Sequence, residues 1–270
     1  MKVQKTRVTN ALYTGAEQER LKDARPIRMT RTASEDGLSR RTVIGPPTYS
    51  RGLPDAWEQI YRDSGESPVW SQTPIPVFPA VLAAIKARAR RTVVDLGCGE
   101  GRNLLPLAEA GLICVGIDAS ESAIARARAG LDEHLLNAFL LLDDICALRF
   151  ASHSVQAAVC FDAFGQLAHP EKAIKQIERI LLPGGLLALN AYTPADCAFG
   201  KGKKLGARSF LYRKCLFRFF EKEELVHLFS GWDILTLERQ AWMDSPHPEF
   251  RPYEHKHDSW LLIAARHEDF

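Results

Sequence analysis

One run constrains this chain more than any other: Val93-Val-Asp-Leu-Gly-Cys-Gly-Glu-Gly-Arg-Asn103. The apolar positions from Thr92 to Leu96 form a short buried strand interrupted by one acid, Asp95. Three glycines follow at alternate positions, Gly97, Gly99 and Gly101, and a helical pattern opens at Asn103. Glycine is needed where the backbone takes a positive φ or approaches a ligand closely. The run therefore predicts a strand, a tight turn and a helix. A dinucleotide-binding turn would want its last glycine at 102, where Arg102 stands. A diphosphate also favours a helix N-terminus free of negative charge. Asp95 and Glu100 crowd this turn with it, which suits a ligand carrying a cationic centre.

The pattern then alternates. Asn103–Ala110 reads as a helix, Ile113–Ile117 as a strand, Glu121–Gly130 as a helix and Ala138–Leu142 as a strand. Val155–Cys160 reads as a strand and Glu171–Leu182 as a helix closed by Pro-Gly-Gly. Leu186–Ala191 reads as a fifth strand. Short apolar strands alternating with helices predict an α/β domain with a parallel sheet covered on both faces. Beyond this unit, Glu221–Phe229 reads as a helix. Trp232–Arg239 and Ser259–Arg266 read as two antiparallel strands joined by a loop rich in His and Pro. Upstream, helices are expected at 55–61 and 80–89, separated by a proline-rich loop.

Acids recur at the strand tips, where open α/β sheets bind ligands. Asp118 ends the second strand, 21 residues after Gly97. A carboxylate there can accept hydrogen bonds from two ribose hydroxyls. Asp144, after the third strand, can accept from an adenine amino group while Ile145 packs on the ring. Cys160-Phe-Asp-Ala-Phe164 closes the fourth strand at the same crevice edge.

Together these elements resemble the class I S-adenosylmethionine-dependent methyltransferases, over about residues 54–270 and most clearly 92–191. Asp95-Leu-Gly-Cys-Gly-Glu-Gly101 is similar to their first motif and Gly116-Ile-Asp118 to their ribose-binding acid. Asp144 with Leu148 and Phe150 resembles the adenine-side motif, and Leu181-Leu-Pro-Gly-Gly185 the turn before their fifth strand. Gly101–Ala108 and the Trp57…Tyr61-Arg62…Pro68-Val-Trp70 segment are similar to the small-molecule and tellurite-resistance-type branch. The resemblance implies a seven-stranded, mostly parallel sheet with helices on both faces and the last strand antiparallel. It implies S-adenosylmethionine as cofactor. Asp95, Gly97 and Gly99 would face its methionine part, Asp118 and Ala119 its ribose, and Asp144 and Ile145 its adenine. Phe161 would lie near the methionine amino end, where the family often has a polar residue.

Methyl transfer needs alignment of nucleophile and methyl and exclusion of water. A general base helps when the nucleophile carries a proton. Candidates are Asp162, His169 and Tyr192; a helix-start role for His169 and a local capping role for Asp162 compete with catalysis. Tyr61, Trp70 and Phe78 are candidates for a lid over the pocket. The segment Phe210–Phe220 mixes basic and aromatic residues and reads as an amphipathic cover element. His247, His255 and His257 are close in sequence, but lack a Cys or paired acid at fitting spacing. No metal is expected, and His255 is assigned instead to the acceptor pocket alongside Tyr61 and Trp70. The Asn/Asp-Pro-Pro-aromatic run of base-amino methylation is replaced by Phe161-Asp-Ala-Phe164. Cys160 lacks the preceding proline of pyrimidine carbon-5 methylation.

Charge separates the chain into two parts. Residues 1–53 hold 11 Lys and Arg against 5 Asp and Glu, a net of +6; residues 54–270 hold 24 against 28, a net of −4. The first part is expected to be a flexible basic extension, with a short helix around Ala16–Ala24. The second is expected to be the methyltransferase domain. An acidic body is not a nucleic-acid-binding module. No stretch approaches the roughly 20 apolar residues of a membrane span. The beginning of the chain lacks an apolar signal core, so a cytosolic location is expected. Six cysteines without a C-x-x-C pair read as buried thiols. The expected function is methyl transfer to a small molecule. The alternatives are an RNA or protein methyltransferase docking through the basic extension, a non-catalytic S-adenosylmethionine-binding sensor, and an NAD-dependent dehydrogenase, which Arg102 disfavours. Oligomeric state has no signature in the sequence.

Overall fold

The computed structural model describes residues 54–88, 90–247 and 251–267. The basic extension and its expected helix at 16–24 lie outside the described residues. Seven strands form the main sheet: β1 (Thr92–Leu96), β2 (Ile113–Asp118), β3 (Phe139–Leu142), β4 (Val155–Cys160), β5 (Leu181–Tyr192), β9 (Trp232–Asp244) and β10 (His255–Arg266). Their spatial order is β3-β2-β1-β4-β5-β10-β9. β1 to β5 pair in parallel, whereas β10 pairs antiparallel with both β5 and β9. The order reverses between β1 and β4, the switch point at whose carboxyl edge open α/β sheets bind ligands.

All five residues of β1 are buried, because both faces of the sheet are covered. Val93 points into one core with α2 (Phe78–Ala87), α3 (Leu104–Glu109) and α4 (Glu121–Glu133). Val94 and Leu96 point into the other, with α5 (Pro170–Ile180) and α6 (Lys222–Leu228). This is the two-residue alternation of a strand. α5 buries Ala173, Ile174, Ile177 and Ile180, the i, i+3, i+4 stripe that docks a helix on a sheet. α4 starts at Ser120, whose side chain accepts from Ala123 N at 3.0 Å.

Three expectations need correction. The segment 210–220, read as an amphipathic cover element, is mostly strand. β6 (Lys203–Gly206), β7 (Ser209–Tyr212) and β8 (Cys215–Arg218) form a second, three-stranded antiparallel sheet. Arg213 and Lys214 turn between β7 and β8 with φ of 51° and 66°. Such a two-residue turn usually announces itself with Asn or Gly, so nothing in this sequence flagged the hairpin. Second, β5 begins at Leu181 and takes in Pro-Gly-Gly as a register irregularity, with pairing to β4 resuming at Leu186. Third, β9 and β10 run several residues beyond the expected ends, pairing Asp244 with His255. Two of the three "loop" histidines, His255 and His257, therefore lie on a strand. α1 (Pro54–Asp63) and the loop after it pack with the small sheet in a third cluster that includes Tyr61, Val69, Tyr192, Phe210, Phe217 and Phe219. Phe78 is 5% exposed in the main core, which removes it from the lid. The six cysteines are free, and Cys98, Cys114, Cys160 and Cys215 are buried. Among the described residues no helix is long and apolar enough to cross a membrane.

Candidate active site

The glycine turn is built as its spacing required. Gly97 and Gly99 take φ of 75° and 54°, and the amides of Gly97 and Cys98 donate to Ile117 O at 2.8 and 2.9 Å. A Cβ on Gly97 would stand 2.5 Å from Ala163 Cβ, so the turn touches the segment after β4. Asp95 is 2% exposed, and its Oδ2 has no hydrogen-bond partner among the described residues. Burial, with a contribution from the Asp118 charge, raises its pKa to about 7. A buried carboxylate with an unpaired oxygen at a glycine cradle can accept a cationic or hydrogen-bond-donating ligand.

Asp118 stands at the tip of β2. Its two oxygens accept from Gly99 N and Ser120 N, both at 2.9 Å. Burial raises its pKa against the pull of these amides. Asp144 begins a single 3-10 turn, Ile145–Ala147, and its Oδ1 accepts from Cys146 N at 2.8 Å. Ile145 is buried and lies 3.8 Å from a Cβ built on Gly97, so the turn and the segment after β3 meet. The neighbouring Asp143 is a structural acid, 1% exposed and paired with Arg149 at 3.1 Å.

Residues 57–70 lie against this cradle. A Cβ on Gly99 would stand 2.7 Å from Tyr61 Oη, and Trp70 Nε1 donates to that hydroxyl at 3.1 Å. Trp70 N donates to Glu100 at 2.7 Å. Arg126 on α4 clamps the same segment, donating to Ser67 O at 2.8 Å and pairing with Glu100 at 3.2 Å. Glu58 accepts from Ser120 Oγ and Ser122 Oγ at 2.7 and 2.8 Å. Glu58 and Arg126 went unnoticed in the sequence because both read as solvated helix charges.

On the other side of the crevice, Asp162 follows β4 with φ of 54°. Its Oδ1 accepts from Asn190 Nδ2 at 2.7 Å and from Tyr192 Oη at 3.3 Å. Its Oδ2 is 3.4 Å from Arg102 Nη1. Phe161, 3% exposed, belongs to the core beside it. Asp162 and Tyr192 are thus brought together. His169 is not: its half-exposed ring faces Glu171 at 3.4 Å, away from that pair.

Arg102 continues the network to Asp244 at 3.0 Å. There the structure corrects the sequence reading of the histidines. Asp244, His247, His255 and His257 are all buried, and one ligand-type atom from each lies within 4.8 Å of the others. The acid is Asp244, three residues before His247 at the end of β9 and opposite His255 on β10. His255 and His257 share one face of β10, two residues apart. Burial pushes the His255 pKa down to about 4, leaving the ring neutral. His257 stacks with Tyr192 at 6.0 Å and His247 meets Trp70 edge-on at 5.4 Å. The cluster therefore borders both the Asp162 side and the lid.

A methyltransferase-domain family model matches residues 93–185. Those residues, which hold the glycine cradle and the strand-tip acids, are similar to a methyltransferase domain. Among curated relatives of this chain, a ubiquinone biosynthesis O-methyltransferase of Coxiella burnetii is 32% identical over 95 residues, 35% of this chain and 41% of that protein. A tRNA N(3)-cytidine methyltransferase of Danio rerio is 31% identical over 168 residues, 56% of this chain and 47% of that protein. The chain spans about a third to a half of the length of the curated relatives it matches. Magnesium protoporphyrin IX methyltransferase from Synechocystis PCC 6803, solved with bound S-adenosylmethionine, shares the fold. It has a TM-score of 0.51 and 20% identity over 78% of this chain and 90% of that one.

Proposed function

We propose that this chain transfers a methyl group from S-adenosylmethionine to a small-molecule acceptor. The observation that carries the cofactor reading is the unpaired, buried oxygen of Asp95 beneath a glycine cradle that a Cβ would fill. S-adenosylmethionine, when bound, supplies a methyl group already activated by its sulfonium. Asp95 with Gly97 and Gly99 holds the methionine part. Asp118 and Ala119 hold the ribose; Asp118 exchanges its present amide partners for hydroxyls. Asp144 and Ile145 hold the adenine, and Phe161 closes the methionine end.

The acceptor side supports a small molecule. Tyr61 and Trp70 cover the cradle, and Asp162, Tyr192 and Arg102 form a network with little access to water. A covered site favours alignment and exclusion of water over the admission of a folded macromolecule. Asp162 is the acceptor-side base. Tyr192 and Asn190 orient its carboxylate, and Arg102 pairs with it. His255 bounds the acceptor space from the hairpin. The 168-residue similarity to a tRNA methyltransferase favours a second reading, an RNA acceptor.

Calorimetry with S-adenosylmethionine, S-adenosylhomocysteine and NAD tests the cofactor. The first two are expected to bind; NAD binding alone overturns the proposal. Label transfer from methyl-labelled S-adenosylmethionine, offered a metabolite extract and a tRNA pool in separate reactions, tests the acceptor. Label in the metabolite fraction is expected. Label in tRNA alone establishes the second reading.

A further inference from the structure

We propose that Asp244, His247, His255 and His257 bind one divalent transition-metal ion of the zinc class. This site goes beyond the methyl-transfer reading and stands without it.

The argument begins with the outer nitrogens. His255 Nδ1 faces Tyr253 O at 2.9 Å, and His257 Nδ1 faces Asp196 Oδ2 at 3.0 Å. A backbone carbonyl and a carboxylate both accept, so each Nδ1 carries the proton. Both Nε2 atoms are then acceptors, yet they face one another at 3.2 Å. Two lone pairs at that distance repel unless a cation lies between them. Two nitrogens on a tetrahedral zinc, each about 2.0–2.1 Å from the metal, stand about 3.3 Å apart. Outer bonds to a carboxylate and to a backbone carbonyl are also the usual supports of metal-bound histidine.

His247 adds an independent observation. Its ring is fully buried, and neither nitrogen has a hydrogen-bond partner among the described residues. A single proton shared by His255 and His257 leaves that ring with only the long 3.5 Å contact of its Nε2 to Asp244. A metal ion uses it. His247 Nε2 and His257 Nε2 lie 3.5 and 3.8 Å from Asp244 Oδ2, so slight contraction brings the fourth ligand in. Asp244 Oδ2 also accepts from Arg102. That guanidinium is shared with Asp162, and a carboxylate oxygen can bond a metal and accept a hydrogen bond together.

Three imidazoles and one carboxylate suit zinc, cobalt or another borderline first-row ion, and disfavour magnesium or calcium. Four protein ligands close the coordination sphere, the mark of a structural site. The ion pins the end of the β9–β10 hairpin to the lid through His247 and Trp70, and to the acceptor side through Arg102.

The test is titration of the untagged, chelator-stripped full chain with Co2+. One equivalent is expected to bind and to give the intense visible bands of four-coordinate cobalt, and Zn2+ is expected to displace it. The His255→Ala/His257→Ala double variant is expected to lose the bands, whereas His134→Ala, at an exposed histidine far along the sequence, keeps them. Asp196→Asn, which leaves all four ligands in place, is expected to weaken affinity by about 10- to 100-fold. No stoichiometric binding by the wild type overturns the site, as does a double variant that binds cobalt like the wild type. The wild-type titration decides even if a variant fails to fold.

Discussion

The two sides of the crevice are built by different rules. On the side proposed to hold the cofactor, each group sits within a few residues of a strand tip. Asp95, Gly97 and Gly99 lie within five residues of one another, and Asp118 ends the adjacent strand, hydrogen-bonded directly to β1. On the side proposed for the acceptor the network joins residues from distant segments: Arg102 to Asp162 and Asp244, Asp162 to Tyr192, and Asp244 to His255 across a hairpin. The first side is a local device whose geometry the backbone sets. The second exists only after the sheet has closed. Substitutions on the first side should disturb cofactor binding alone, and on the second the transfer step alone.

The largest effect is expected from Gly97→Ala. The added methyl meets Ala163 Cβ at 2.5 Å while the residue keeps a φ of 75°. Strain of about 1–3 kcal/mol and overpacking of a similar size should lower the melting temperature sharply and abolish S-adenosylmethionine binding by calorimetry. Gly99→Ala is the sharper comparison. Its methyl meets only the flexible end of Tyr61, so its loss of stability should be smaller. Equal losses would show that backbone strain outweighs the close contact. Next comes Asp118→Ala. Losing ribose hydrogen bonds to a charged acceptor, at about 1.5–3 kcal/mol, should weaken S-adenosylmethionine more than tenfold. Unchanged affinity would remove the ribose assignment.

This contrast explains what the sequence could tell. The strand and glycine-turn signals depend on a few consecutive residues, so β1 to β4, the cradle and the acids at its edge were legible. The acceptor side was legible only in pieces. Asp162 and Tyr192 were picked out singly, without Asn190 or Arg102 to join them. The histidines were seen without Asp244, because Trp242 and Met243 looked like the start of a loop and not the end of β9. The small sheet stayed hidden because Arg213 and Lys214 make its turn without a glycine. Glu58 and Arg126 look like surface charges until the lid folds onto α4.

A pH series sharpens the cofactor half further. The Asp95 carboxyl titrates near 7 in the folded chain, above its unfolded value of about 3.9. The raised pKa means that the ligand-free fold keeps a proton which the unfolded chain gives up. Stability from this group is therefore present below about pH 4 and lost as pH rises towards 7. Binding of a cationic ligand favours the ionised form and reverses the trend. S-adenosylmethionine affinity should rise about fivefold from pH 6 to 7, about twofold more by pH 8, and level off above. In Asp95→Asn the affinity should be weaker and flat over this range. A wild type that is equally flat would mean that Asp95 does not face the positive charge.

The smallest effect tests the acceptor half. Tyr192 donates to Asp162 at 3.3 Å, a long hydrogen bond inside a buried ring cluster. Tyr192→Phe keeps the ring, its packing and its contact with His257, and removes only the hydroxyl. A net hydrogen bond is worth about 1 kcal/mol, so the rate of transfer should fall about fivefold with S-adenosylmethionine affinity unchanged. Asn190 still holds the same carboxylate oxygen at 2.7 Å, which keeps the loss from growing. A drop in cofactor affinity instead would mean that the two sides are coupled through Asp162 and Arg102, and that the division between a local device and an assembled network fails at its centre.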